Sequence, residues 1–189
     1  MTSEIKKGNK IECYSVSSVA VLKGFIKNGL DSSRLINLIM VFDSNFDEFR
    51  RIGLNFPPNL FYYHEVSWSE TIGILINEYC FKKEEAKSSL KNLIKNFSLS
   101  VIKREESDET YEKLAEEANR RVLERSKNLK LEIGEKDIII IGGFLKEGIT
   151  FAHSGDKGFL ETCKELKINV IPTPLRDIDK ENEIKRKIS

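Results

Sequence analysis

Apolar positions recur at helical spacing along much of this chain, broken by short runs that suit buried strands. Val19, Leu22, Phe25 and Ile26 predict a helix from Ser17 or Ser18 to about Lys27, closing at the Asn28-Gly29 stop signal. The continuous apolar run from Leu35 to Phe42 predicts a buried parallel strand that delivers Asp43 to the carboxyl edge of a sheet. Pro57 and Pro58 interrupt regular structure. Residues 66–80 predict a helix with Ile72, Leu75, Ile76 and Tyr79 on one face. Ser67 would cap it, and Glu70 stands three residues later in capping-box register. Residues 82–97 form a second amphipathic pattern, with Leu90, Leu93, Ile94 and Phe97 as its stripe.

Residues 103–131 carry Leu114, Ala118, Val122 and Leu129 among closely spaced charges, the pattern of a long solvated helix. The four isoleucines at 138–141 fit either a strand or a helix, since Phe144, Leu145 and Gly148 extend the segment to helical length. Two short strand patterns, one ending near Ser154 and one at 168–172, flank a one-face helix over 157–167. That strand–helix–strand unit implies a parallel pair. The tail 175–189 is highly charged and reads as a terminal helix or a disordered arm.

Composition narrows the class. The 189 residues suffice for one compact domain, and 40% hydrophobic with 32% charged residues is the balance of a globular chain with a heavily charged surface. A net charge of +1 does not mark a protein that is basic over its whole surface, although an acidic site and a basic rim cancel in such a sum. Cys13, Cys80 and Cys163 are far apart, form no CxxC pair and give little support to a zinc site. No apolar run approaches the ~20 residues that span a bilayer, and the N-terminus lacks a signal-peptide core. Cytoplasmic location with no membrane association is the resulting expectation.

Four acids then stand in a suggestive order: Asp43 at a strand end, Glu70 in the first turn of a helix, Asp137 at another helix start and Asp156 just after a strand. Each has an ordinary structural role available: a turn residue at Asp43, a capping partner at Glu70, a helix-dipole charge at Asp137, an N-cap at Asp156. Asn45 and Ser154 could hydrogen-bond the acids. His64 and His153 suit satisfied histidines better than metal ligands, and Trp68 suits a core plug better than a base-stacking platform. Arg50, Arg51, Lys103, Arg104, Arg120 and Arg121 are phosphate-contact candidates, weighed against the solvated face that charged helices normally present.

The ordered set resembles the PIN-domain nucleases: Asp43 with Ser44 and Asn45, Glu70 after Ser67, Asp137 opening a helix, and Asp156 between Ser154 and Phe159. The resemblance covers residues 38–174 and implies a three-layer α/β/α sandwich around a mostly parallel sheet. Residues 1–37 would then be an added helical extension packed on the domain or on a second copy. The resemblance makes 137–147 a helix and Asp43, Glu70, Asp137 and Asp156 the ligands of Mg²⁺ or Mn²⁺, with Asn45 and Ser154 behind them. It implies an endoribonuclease acting on RNA, a small antitoxin-like partner and a homodimer. Gly142-Gly143 departs from the small alanines more usual there. Two rivals remain: a haloacid-dehalogenase-like phosphohydrolase with Asp43 as nucleophile, which lacks that family's second Asp at Asn45, and a catalytically weak PIN-like RNA-binding or scaffold module.

Overall fold

The computed structural model describes residues 25–40 and 59–173. Five strands form one sheet in the order β3-β2-β1-β4-β5: β1 Ile26–Leu30, β2 Asn59–His64, β3 Ser100–Ile102, β4 Phe151–Ser154 and β5 Asn169–Pro172. Every pairing is parallel. Among the described residues, six α-helices flank it: α1 Ser32–Met40, α2 Glu65–Asn77, α3 Lys83–Phe97, α4 Glu109–Ser126, α5 Glu135–Glu147 and α6 Lys157–Glu165.

The helices divide into two layers, each with its own core. On one side α1, α2 and α3 pack together; Leu35 and Leu38 of α1 and Leu90 and Leu93 of α3 close over Leu30, Phe61 and Tyr63 of the sheet. On the other, α4, α5 and α6 pack together; Ile140, Ile141 and Phe144 of α5 and Phe159 and Cys163 of α6 meet Ala152 and Ile102. This is the expected three-layer α/β/α architecture. It also explains the isoleucines at 138–141. Helix α5 packs against α4, α2 and the sheet at β2 and β3, so Ile139, Ile140, Ile141, Gly142, Gly143 and Phe144 are all buried and no polar face interrupts the run.

Three expectations need correction. The apolar run 35–42 does not form a strand: residues through Met40 belong to helix α1. Its start is set by Asp31, whose Oδ1 accepts the Arg34 amide at 3.0 Å while its carbonyl accepts the Leu35 amide at 3.1 Å, an N-cap arrangement. The run is continuously apolar because the helix is covered on two sides: Leu35 and Leu38 enter the sheet-facing core, and Ile36 meets Leu75, Tyr79 and Ala86.

Second, against the expectation of a helix reaching Lys27, Ile26–Leu30 is β1, the central strand of the sheet, so a central element lies within the segment assigned to the N-terminal extension. Val19 and Leu22 lie outside the described residues, as do Asp43, Asn45 and the tail.

Third, α4 is shorter than 103–131. Lys127 takes a left-handed conformation (φ 54°) that ends it, and a turn of 3₁₀ helix precedes it at 106–108. Its buried face is Ala115, Ala118, Asn119 and Val122, while Leu114 is 44% and Leu129 78% exposed.

The Gly142-Gly143 pair is a close-approach device. A Cβ at Gly142 would stand 3.0 Å from the Glu112 backbone nitrogen of α4, and one at Gly143 would stand 2.6 Å from Cδ2 of His64. Alanine, the commoner choice of the resembling family, has no room at the second position.

Candidate active site

Parallel strands deliver their following residues to one edge of the sheet, where open α/β folds place their sites. Four acids reach that region from four elements. Asp31 follows β1 and caps α1; Glu70 is in the second turn of α2; Asp137 is in the first turn of α5; Asp156 follows β4 and caps α6, its Oδ1 accepting the Phe159 amide at 2.7 Å.

Asp31 is the best-held of the four. Its side chain is buried, at 5% exposure. Beyond the Arg34 amide, Ser33 Oγ donates to its Oδ1 at 2.7 Å and Ser154 Oγ to its Oδ2 at 2.5 Å. Ser33 Oγ in turn accepts the Gly155 amide at 2.7 Å, and Ser154 Oγ accepts the Asp156 amide at 3.0 Å. Two serines therefore tie the end of β1 to the β4–α6 turn that carries Asp156. Burial raises the Asp31 carboxyl above its ordinary range, opposed by these hydrogen bonds.

Asp137 senses the other three. Its carboxyl is pushed up to about 6, first by burial, then by the charges of Asp156 and Glu70, with Asp31 adding to the rise and the Gly134 amide opposing it. Glu70 makes an ion pair with Lys136, one residue before Asp137, at 3.6 Å. The capping role considered for Glu70 falls away. His64 is the N-cap of α2, its Nδ1 accepting the Val66 amide at 3.2 Å, and Ser67 lies buried inside the helix. Asp156, by contrast, does serve as an N-cap.

Of the residues expected at the site, Glu70, Asp137, Asp156 and Ser154 come to one region, and Asp43 and Asn45 lie outside the described residues. The strand that was to carry Asp43 is helical up to Met40, and the acid at the strand end is Asp31. Its signal was the Asp31-Ser32-Ser33 sequence directly before a helical apolar pattern, a capping signature.

Both histidines are buried in the core, each with one ring nitrogen hydrogen-bonded; among the described residues, His64 Nε2 and His153 Nδ1 have no hydrogen-bond partner. His153 is 1% exposed, its Nε2 3.0 Å from Asn28 Oδ1, and burial with the nearby Arg34 charge pushes it down to about 3. His64 is fully buried, which lowers its pKa as well. Trp68 packs on the Leu30–Phe61 core, its ring 6.5 Å from that of Tyr63. Arg104 holds Glu112 through two nitrogens, at 2.7 and 2.8 Å; Arg120 pairs with Glu124, and Arg121 with Glu117 and Glu165. These are internal ion pairs of a charged surface. Arg50 and Arg51 lie outside the described residues.

The donor set suits a hard divalent cation. All four groups are carboxylates, which Mg²⁺ and Mn²⁺ prefer, and a cation would relieve the repulsion recorded at Asp137. As the side chains stand, no three His, Cys, Asp or Glu among the described residues are grouped closely enough to hold a metal ion.

No family model matches the chain, and no curated protein matches it in sequence. Solved structures do match in fold. One is VapBC2 from Rickettsia felis, bound to a DNA fragment from its promoter. It is 16% identical, covers 78% of this chain and 98% of its own, and has a TM-score of 0.56. The DNA-bound VapBC of Salmonella typhimurium has the same identity and coverage with a TM-score of 0.49. The Sarcin-Ricin loop cleaving toxin VapC20 of Mycobacterium tuberculosis is 16% identical over 66% of this chain and 86% of its own, with a TM-score of 0.44. The five-stranded parallel sheet between two helical layers, shared with the first of these, gives this chain the PIN-like fold.

Proposed function

We propose that this protein is a Mg²⁺- or Mn²⁺-dependent endoribonuclease whose site is Asp31, Glu70, Asp137 and Asp156. Asp31 takes the role that the sequence order assigned to Asp43. The observation that carries the reading is the convergence on Asp137 at the carboxyl edge of a PIN-like sheet: after burial, the charges of acids from three other elements lie close enough to raise its pKa.

A bound divalent cation would neutralise the cluster, lower the pKa of a bound water and stabilise charge on a phosphodiester oxygen. The chain's own part is to hold the ligands in place. Asp31 is held by Ser33, Ser154 and the Arg34 amide of α1. Asp137, its carboxyl pushed up to about 6 by burial and the neighbouring acids, would hold the cation as a carboxylate, so binding would strengthen as pH rises through that value. Asp156 is anchored through one oxygen by its capping bond. RNA is the substrate in this reading and a small antitoxin-like protein the partner, with a second copy of the chain as a further one.

A PIN-like RNA-binding module that does not cleave is the second reading. The spacing of the acids, with no three at ligating distance among the described residues, favours it. The phosphohydrolase reading loses its footing, because the strand it requires before Asp43 is helical through Met40. The deciding experiment is cleavage of mixed RNA by purified protein with added Mn²⁺, for wild type and Asp137→Asn. Metal-dependent cleavage lost in the variant supports the nuclease; binding without any cleavage leaves the module.

A further inference from the structure

Beside Asp156 lies a groove of about 640 Å³ between α6 and the end of β5. That falls within the ~300–1,000 Å³ of small-ligand sites. Its walls are Leu131, Leu160 and Pro172, its rim carries Lys157 and Lys164, and Thr173 and Gly155 also line it. Gly155 and Lys157 are the chain neighbours of Asp156, so the groove lies next to that acid.

Thr173 distinguishes this groove from an ordinary surface crease. It is only 5% exposed, yet its hydroxyl makes no hydrogen bond, while its backbone amide donates to Ser154 at 2.7 Å. A buried hydroxyl without a partner is uncommon and calls for a reason. Among the described residues no hydrogen bond fixes this hydroxyl, which leaves it available to a group seated in the groove that Thr173 lines. The rim charge is equally suggestive. Glu161 is matched by Lys164 at 2.6 Å, and among the described residues Lys157 makes no ion pair. An ammonium with no ion pair among the described residues, next to a carboxylate site, suits a phosphodiester chain running past that site.

We propose that this groove seats one nucleotide of single-stranded RNA adjacent to the scissile phosphate. The base lies between Leu131, Leu160 and Pro172, Thr173 Oγ1 hydrogen-bonds its edge, and Lys157 contacts the flanking phosphate. An apolar slot with one polar group reads a base by the hydrogen bond it offers, as single-strand recognition commonly does. Thr173 is then a specificity-determining residue. The inference rests on the nuclease reading above for the position of the scissile phosphate.

The test uses the full chain, a fluorescein-labelled mixed-sequence single-stranded RNA decamer, and sequencing of the ends produced with Mn²⁺. Variants are Thr173→Val, which keeps the shape and removes the hydroxyl, Lys157→Gln, and Lys91→Gln on the exposed far side of α3 as control. Thr173→Val is expected to flatten base preference at one position beside the cut. Lys157→Gln is expected to weaken binding about threefold to tenfold for all sequences and to reduce its salt dependence, with Lys91→Gln unchanged. Wild-type base preference in Thr173→Val, together with wild-type affinity in Lys157→Gln, overturns the groove. If wild type binds RNA without cutting it, the nuclease reading fails by itself and the groove is judged on binding: base-dependent affinity lost in Thr173→Val supports it, and equal affinities overturn it. Wild type that does not bind RNA at all overturns it too.

Discussion

Ser154 Oγ donates to Asp31 Oδ2 across β1 and β4, and the same hydroxyl accepts the amide of Asp156. One side chain thus links two of the four acids. Ser154→Ala leaves a buried carboxylate oxygen without its donor, a loss that typically costs ~1–3 kcal/mol. The variant should unfold at lower urea than wild type. Its Asp31 pKa should rise further, because a hydrogen bond to the charged form has gone. An unchanged urea midpoint and an unchanged Asp31 titration by NMR would mean the link carries no energy.

Asp31 and Asp43 make competing forecasts. If the strand-end acid is the ligand, Asp31→Asn should lower Mn²⁺-dependent RNA cleavage by at least about tenfold, or ~1.4 kcal/mol in the barrier. Asp43→Asn should leave it within about twofold. The reverse result would return the role to Asp43. Circular dichroism of both variants separates lost chemistry from lost structure, since Asp31 also caps α1.

The pKa of Asp137 gives a signed stability forecast. Its folded value of about 6 lies above the ordinary 3.8. Between those values the folded state binds the extra proton, so this group stabilises at low pH and its contribution is lost as pH rises through 6. Metal-free Asp137→Asn, with no charge to lose, should therefore be more stable than wild type at pH 8 and equal to it near pH 4. Thermal unfolding at both values without metal checks this. A variant less stable at pH 8 would show that the carboxylate is favourably paired.

The fold class and the elements that carry Glu70, Asp137 and Asp156 were legible because their signals are local. Gly148 closes α5, and Asp156 stands directly after a strand and caps α6. The central strand was not legible. Ile26–Leu30 carries Lys27 and Asn28 in its middle and has an Asn-Gly pair that reads as a stop. Its polar residues are tolerated only through neighbours that sequence does not reveal. Asn28 is 2% exposed and bonds Asn59 of β2 at 2.9 Å and His153 of β4 at 3.0 Å, while Lys27 pairs with Glu147 at 2.7 Å. Strand β2 begins directly after the two prolines, and β3 has three residues, too few for any period. With β1 hidden, the strongest apolar run, Leu35–Phe42, took its place.

Glycine substitutions in two helices should separate close approach from propensity. Gly143→Ala puts a Cβ 2.6 Å from the buried His64 ring and should destabilise by ~1–3 kcal/mol through overpacking. Gly73→Ala, with nothing within 4 Å, should stabilise α2 by ~0.5–1 kcal/mol. Chemical denaturation of both reads the difference. Two shifts of equal sign would contradict the packing at Gly143.

The network at His153 makes the last forecast. Asn28 Nδ2 donates to Asn59, which leaves Asn28 Oδ1 to accept, so His153 Nε2 carries a proton, and burial keeps the ring neutral with Nδ1 unprotonated. Its folded pKa of about 3 lies below the usual 6.5. The unfolded chain therefore takes up a proton below 6.5 that the folded one refuses, and the stability of the neutral ring, complete above 6.5, is lost as pH falls towards 3. Between pH 6.5 and 5 this one group should remove about 2 kcal/mol, at ~1.4 kcal/mol per pH unit. His64, also lowered by burial, acts in the same direction, and the raised Asp31 and Asp137 act against both. Comparison with His153→Gln isolates the term. The amide of Gln can still donate towards Asn28 but does not titrate, so the variant should start less stable at pH 7 and lose less between pH 6.5 and 5. Urea midpoints at those three pH values decide it, and parallel losses in both proteins would show that His153 is not held neutral in the folded chain.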